Sequence, residues 1–286
     1  MSAVPPAKRQ WLNRTLDIVG RTFIGAGLFL LSFVAYQLWG TGIAESRAQT
    51  SLSTQFQSQR SAIPSYGGVV GQIEIPSIDV KKWIVAGVDY KSLERGPGLF
   101  PKSPMPGQFG NVALAGHRTT FGAPFGRINE LKKGDLIRFT TKSGTFVYVV
   151  NGAPKIVSAS AIEVTRTTDT TKAIVTLVSC HPKWTSEKRI IVVADLQSSV
   201  TPQPPTTFEA STPEAEVLSE GWFHDPSVWP AVLGLALLLI AIAVGAYVAG
   251  KKGVSRKIAY PIGAVIFLPT LYFFFVEASH LLPSNL

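Results

Sequence analysis

The sequence predicts one β-rich domain, a mostly antiparallel barrel or sandwich, tethered to a membrane at both ends. Three features of the chain lead there: three long apolar stretches without charge, a series of short β-type runs between the first and second, and basic residues gathered beside the stretches.

The apolar stretches are residues 22–44, 226–250 and 258–276, and none contains a charged side chain. About 20 apolar residues cross the hydrocarbon core of a bilayer, so all three qualify, the third only just. They absorb much of a hydrophobic content of 46%, which is high for a soluble chain. The net charge of +9 is equally concentrated. Lys8, Arg9, Arg14 and Arg21 precede the first stretch against Asp17 alone, and Lys251, Lys252, Arg256 and Lys257 lie between the second and third. Eight bases against one acid supply +7 of the +9, leaving the rest of the chain near neutral. That distribution argues against nucleic acid as a partner. Positive flanks mark the cytoplasmic side of a span. The expected product is a multi-pass protein of the cell membrane, with its N-terminus inside and residues from about 45 to 225 outside. The first stretch is longer than a signal-peptide core and lacks a clean small-x-small site near Trp39–Ala44. A retained anchor is expected, with cleavage after Ala44 or Ala48 as the alternative.

Five segments follow. Residues 1–44 form the cytoplasmic N-terminus and anchor, and 45–66, rich in Gln, Ser and Arg, a polar stalk. Residues 67–197 hold the β domain. Residues 198–227 read as a Pro/Thr/Ser-rich linker, and 228–286 as a C-terminal transmembrane hairpin with Trp222, Phe223 and Trp229 at its entry. Within the β domain the best strands are 69–75, 83–88, 112–115, 136–140, 146–150, 174–178 and 190–194. Thr141-Lys142-Ser143-Gly144 has the composition of a hairpin turn. A short helical turn is expected near 129–133.

The chain has one cysteine, Cys180, so an intrachain disulfide is excluded. It closes a β run and is followed by His181-Pro182, where Pro ends the strand. A side chain there stands at the rim of a sheet, fixed but reachable. Of the four histidines, His224 lies in the linker and His280 in the tail. His181 is next to the cysteine, but successive strand side chains point to opposite faces. His117, two residues past strand 112–115, is the better base for a thiol. Arg189 opens the strand after a short polar loop, so a hairpin returns it to the end that carries Cys180. A guanidinium there can donate to the oxyanion formed when a thiolate attacks a carbonyl. No Cys/His/Asp cluster has metal-ligand spacing, so no metal or organic cofactor is expected.

These residues reach a known family. Thr176-Leu177-Val178-Ser179-Cys180 resembles the TLxTC signature of sortases, with Ser179 where Thr is usual. Gly110-Asn111-Val112-Ala113-Leu114-Ala115-Gly116-His117-Arg118 is similar to the segment that carries their histidine, and Arg189 matches their essential arginine. The Cys-His-Pro continuation and the run from His117 to Gly122 look most like class E sortases of actinobacteria. The resemblance covers about 67–197. It implies a closed barrel of about eight strands, all-β apart from three transmembrane helices. It further implies a cysteine transpeptidase with Cys180 as nucleophile, His117 as acid and base, and Arg189 on the oxyanion. Thr176, Ser179 and His181 are the candidate substrate-binding residues. The implied partners are secreted proteins with a C-terminal LAxTG- or LPxTG-like sorting motif, and a cell-wall precursor or pilin as amine acceptor. Residues 151–171 are the expected groove wall. An Asp-Pro-aromatic lid motif does not occur in 45–100, against a lidded pilin polymerase. The alternatives are an extracytoplasmic cysteine hydrolase or L,D-transpeptidase-like enzyme, and a non-catalytic assembly factor.

Overall fold

The structure is a computed structural model that describes residues 6–185, 187–197, 201–208 and 226–281. His224 and most of the expected linker lie outside the described residues. Helix α1 (Pro6–Ala35) runs through a π-helical turn, Tyr36–Gly40, into α2 (Thr41–Ser58). The β domain holds β1 (Val69–Ile75), β2 (Val80–Ala86), α3 (Tyr90–Leu93), β3 (Gly98–Leu99), β4 (Gly110–Ala115), β5 (Leu136–Thr141), β6 (Gly144–Val150), β7 (Lys155–Ser158), β8 (Ala173–His181) and β9 (Lys188–Leu196). Helices α4 (Trp229–Lys251) and α5 (Arg256–Ser279) follow.

Strand order is β6-β5-β1-β2-β3-β4-β8-β9, and β6 pairs again with β9 to close an eight-stranded barrel. The ninth strand, β7, lies outside the ring. Along one edge of β9, β6 takes the end near Ala194 and β7 the end near Ile191. Most pairings are antiparallel, but β2–β3 and β4–β8 are parallel. Alternation along each strand sets the faces. Val112, Leu114, Val175, Leu177, Ile190 and Val192 point into the core with Phe139, Tyr148 and Phe125. Ala113, Ala115 and Cys180 point outward, into a smaller cluster with Val88, Leu93 and Phe100.

All seven expected strands form, each within a few residues of its expected bounds. Two further strands, β3 and β7, lie outside the expected set: at two and four residues they are too short to carry a period-2 signal. Helix α2 and residues 201–208 pack on the barrel more closely than a stalk and a linker imply. Helix α2 lies on the barrel: Leu52 is wholly buried with Val69 and Val85, and Phe56 and Trp83 pack beside them. Gln49 Nε2 donates to the carbonyls of Trp83 (3.0 Å) and Arg95 (2.7 Å), while its Oε1 accepts from the Trp83 N–H (2.7 Å). One amide thereby satisfies the open edge of β2. Residues 201–208 also bind the barrel. Phe208 enters the core, and Gln203 bridges to Gln108.

Three helices, α1 with α2, α4 and α5, are long and apolar enough to cross a membrane. Tyr36 packs against Tyr272 (5.7 Å) and Phe275 (5.8 Å), so the first and last of these helices meet near the head.

Leu52 tests whether α2 belongs to the fold. Leu52→Ala should destabilise the head by roughly 2–5 kcal/mol, the usual cost of emptying a closed apolar site. Chemical denaturation of the full chain in detergent, followed by tryptophan fluorescence, measures it; a loose stalk would show no change.

Candidate active site

Two registers place the site. Strands β4 and β8 run parallel with Ala115 level with Val178. Gly116 N–H continues the ladder to the Val178 carbonyl at 3.1 Å, and the Ser179 hydroxyl donates to the Gly116 carbonyl at 2.7 Å. Two residues beyond the last pair, His117 stands level with Cys180. On the other side β8 and β9 are antiparallel, and Cys180 pairs directly with Arg189. His117, Cys180 and Arg189 thus form a row across three adjacent strands at one end of the barrel. Cross-strand partners share a face, and Cys180 faces outward, so the row opens away from the core.

All three side chains are buried: Cys180 is 3% exposed, His117 5% and Arg189 7%. Burial pushes the Cys180 thiol up to about 11 from an ordinary value of 9.0, against the pull of two cations, Arg189 first and Arg118 second. The thiol therefore rests protonated at neutral pH. Burial also lowers both guanidinium values, yet arginine stays charged in proteins.

Arg118 carried no assignment from the sequence. It is 7% exposed, and one Nη1 donates to the Cys180 carbonyl (3.0 Å) and faces His181 Nδ1 (3.1 Å). Its other terminal nitrogen donates to Asn129 Oδ1 (2.8 Å), on a short 3-10 turn. Only adjacency to His117 marked it, and a loop arginine beside a histidine is ordinarily solvated.

The three expected substrate-binding residues are placed differently from one another. The Thr176 hydroxyl is buried and donates to Asn111 Oδ1 at 2.8 Å. Asn111 in turn gives its amide to the carbonyls of Val164 and Arg166, and its backbone N–H bonds Thr167. Thr176 therefore holds a wall segment in place and presents no free hydroxyl. Ser179, wholly buried, holds the turn into His117. His181 is half-buried against Arg118 at the open rim. A cavity of about 190 Å³ lies between Phe100–Ser103 and Thr165–Thr167, alongside the Asn111–Ala113 part of β4. The second of these segments falls within the expected wall 151–171.

The loop after His117 is strained and clamped. Phe121, Gly122 and Ala123 all have positive φ, 48°, 70° and 42°, a conformation costly for residues with a Cβ. Thr41, at the start of α2, accepts the Phe121 N–H on its hydroxyl (3.1 Å). Glu45, one turn on, pairs with Lys82 (2.7 Å) and lies 2.6 Å from where a Cβ on Gly122 would stand. Only glycine fits. Aromatic contacts then run from His280 to Tyr90 (4.9 Å), Tyr90 to Phe121 (6.2 Å) and Phe121 to His117 (5.1 Å). His280 Nε2 also lies 3.3 Å from a Glu94 carboxylate oxygen. Helix α2 and the end of α5 both touch the loop system that carries the histidine.

A sortase-domain family profile matches residues 73–197. The chain is 34% identical over 197 residues to sortase SrtE1 of Streptomyces coelicolor, covering 61% of this chain and 55% of that relative. It thus spans little more than half of that relative's length. It is 32% identical over 143 residues to sortase D of Bacillus subtilis, covering 44% of this chain and 71% of that one. The structure of sortase E from Streptomyces avermitilis aligns with a TM-score of 0.42 at 30% identity, over 53% of this chain and 98% of that one.

Because Cys180 is the sole cysteine, its titration can be followed without interference. The iodoacetamide alkylation rate of the folded chain should climb through pH 9 and level only near 11, whereas in denaturant it levels near 9. The sign for stability follows: between those values the unfolded chain has lost a proton that the folded chain keeps, so stability falls as pH rises from 9 to 11. Alkylation that levels below pH 8 in the folded chain would contradict the burial described.

Proposed function

The chain belongs to the sortase family of cysteine transpeptidases and is class E-like, and on that premise we propose that it is a membrane-anchored sortase acting outside the cell. It cleaves a C-terminal sorting motif of LAxTG or LPxTG type in a secreted protein and joins that protein to an amine of the cell wall or of another protein. The observation that carries this reading is the row His117–Cys180–Arg189, held level by the β4–β8 and β8–β9 registers.

The chemistry assigns each member a step. The Cys180 thiol passes its proton to His117, and the resulting thiolate attacks the carbonyl carbon of the motif Thr while the carbonyl electrons move onto oxygen. Arg189, directly across the ladder, donates to that oxyanion, where fixed donors are most effective in a water-poor site. His117 gives a proton to the departing amine as the peptide bond breaks, leaving a thioester. An incoming amine loses its proton to His117, attacks the thioester and releases the thiol. The outer face of β4 and β8 is the groove floor, with 151–171 as one wall and the Phe100–Ser103 turn facing it. Thr176 and Ser179 position wall and histidine, while His181 borders the motif at the rim.

The three apolar helices suit a multi-pass protein with its N-terminus and the loop between α4 and α5 in the cytoplasm, since both carry the basic clusters. This puts the head among secreted substrates. The contacts of Thr41 and His280 with the catalytic loops favour a site close to the membrane surface. There, membrane-held substrates are concentrated.

The test uses the full chain in detergent or nanodiscs with LAxTG and LPxTG peptides and diglycine as acceptor, with products identified by mass spectrometry. A ligated product is expected for wild type and none for Cys180→Ala. Arg189→Ala should lower kcat/KM by about 10²–10³-fold, the usual cost of one lost oxyanion donor. Cleavage without ligation for every amine offered would point to a hydrolase, and absence of any acyl-enzyme to a non-catalytic scaffold.

A further inference from the structure

We propose that Arg118 is a positioning residue of this site, a second guanidinium that holds the end of the nucleophile strand and adds positive charge beside the Cys180 thiol. The inference rests on the reading of Cys180 as nucleophile.

Three observations carry it. First, Arg118 reaches the strand end directly: Nη1 donates to the carbonyl of Cys180 itself, at 3.0 Å, and approaches the ring of His181 at 3.1 Å. This fixes the backbone from which the thiol projects, just where β8 stops pairing with β4. Second, the side chain is 7% exposed, yet no carboxylate among the described residues lies within ion-pair distance of it. A buried cation without a counter-charge is costly. Its side-chain partner is the amide of Asn129, which accepts a hydrogen bond at 2.8 Å and carries no charge. An aspartate at that position would hold the guanidinium equally well and cancel its field. The neutral anchor leaves the full charge available to a nearby anion, and the group able to become one is the Cys180 thiol, with which Arg118 interacts electrostatically. Third, the Arg118 Nε is buried without a hydrogen-bond partner among the described residues, so the guanidinium is not saturated by the protein.

The charged and titratable groups facing Cys180 come from three elements: Arg189 on β9, His117 and Arg118 on the turn after β4, and His181 at the end of its own strand. Arg189 and Arg118 divide the work. Arg189 stands across the ladder, where it is placed to meet the oxyanion. Arg118 grips the carbonyl end of the cysteine and favours the thiolate before substrate reacts.

The deciding readout is the alkylation rate of Cys180 by iodoacetamide at pH 8–9.5 in the full chain, which requires no substrate. Its outcome is therefore separate from the ligation assay. Loss of charge and loss of structure move this rate in opposite directions. Removing a cation that favours the thiolate slows alkylation, whereas loosening the strand end exposes the thiol and speeds it. Arg118→Gln should be slower by roughly three- to tenfold, a tenfold change being one pKa unit. Asn129→Asp, which keeps shape and arginine but cancels the charge, should slow it likewise. Arg118→Lys should retain most of the alkylation rate while losing turnover, because lysine keeps the charge but not the two-armed grip. Rates equal to or faster than wild type in Arg118→Gln and Asn129→Asp would overturn the proposal. If Arg118→Gln does not fold, Asn129→Asp decides alone.

Discussion

The row of reactive groups depends on the two ladders that β8 shares with its neighbours. A strand paired in parallel on one side and antiparallel on the other can align groups from three distant parts of the chain. Gly110–Ala115 runs beside Ala173–Val178, so His117 arrives level with Cys180 after a single glycine. The return of β9 sets Arg189 opposite the same cysteine. A slip of one residue in either ladder would turn a member of the row into the core. The Ser179 hydroxyl on the Gly116 carbonyl pins the first ladder beyond its last pair. Packing of Leu114, Leu177 and Val192 in one core keeps all three strands in step.

Electrostatics at the row balances two opposed terms. Burial disfavours a thiolate, and two buried guanidiniums favour it; burial is the larger in this state, so the thiol is protonated. A rim cysteine kept neutral and covered is protected from oxidation. Both guanidiniums are fixed by backbone carbonyls, Arg118 to Cys180 and Arg189 to Lys188. Their charges are therefore preorganised and need not move during reaction.

The long apolar helices are joined to this site by packing. The same helix that leaves α1 offers Thr41 and Glu45 to the strained turn Phe121–Ala123, and Gly122 is the residue that lets them approach. Strain of that kind persists only where surroundings hold it, and here part of the holding comes from helix α2. His280, at the end of α5, reaches the same loop through Tyr90 and Phe121. The β domain and the long apolar helices share an interface, and α2 and residues 201–208 extend it along the barrel.

The sequence by itself determined the long apolar helices and seven of the nine described strands, in order. Uncharged apolar runs declare helices that suit a membrane whatever surrounds them, and alternation along 69–75 or 174–178 declares a strand with one buried face. A lone cysteine before His-Pro, a histidine after Gly116 and an arginine opening the next strand were legible as a set, because strand ends are local features. Tertiary structure decided the rest, since it depends on groups far apart in sequence. Strands β3 and β7 exist only because neighbours supply their partners. The polar 45–66 segment lacks an apolar stripe wide enough to announce docking, yet Leu52 and the single amide of Gln49 suffice once β2 presents an open edge. Thr176 became a wall support only when Asn111, 65 residues away, came within 2.8 Å. Arg118 looked like loop charge until folding buried it between Cys180 and Asn129. Burial and neighbouring charge set what a side chain does, and neither is written in local sequence.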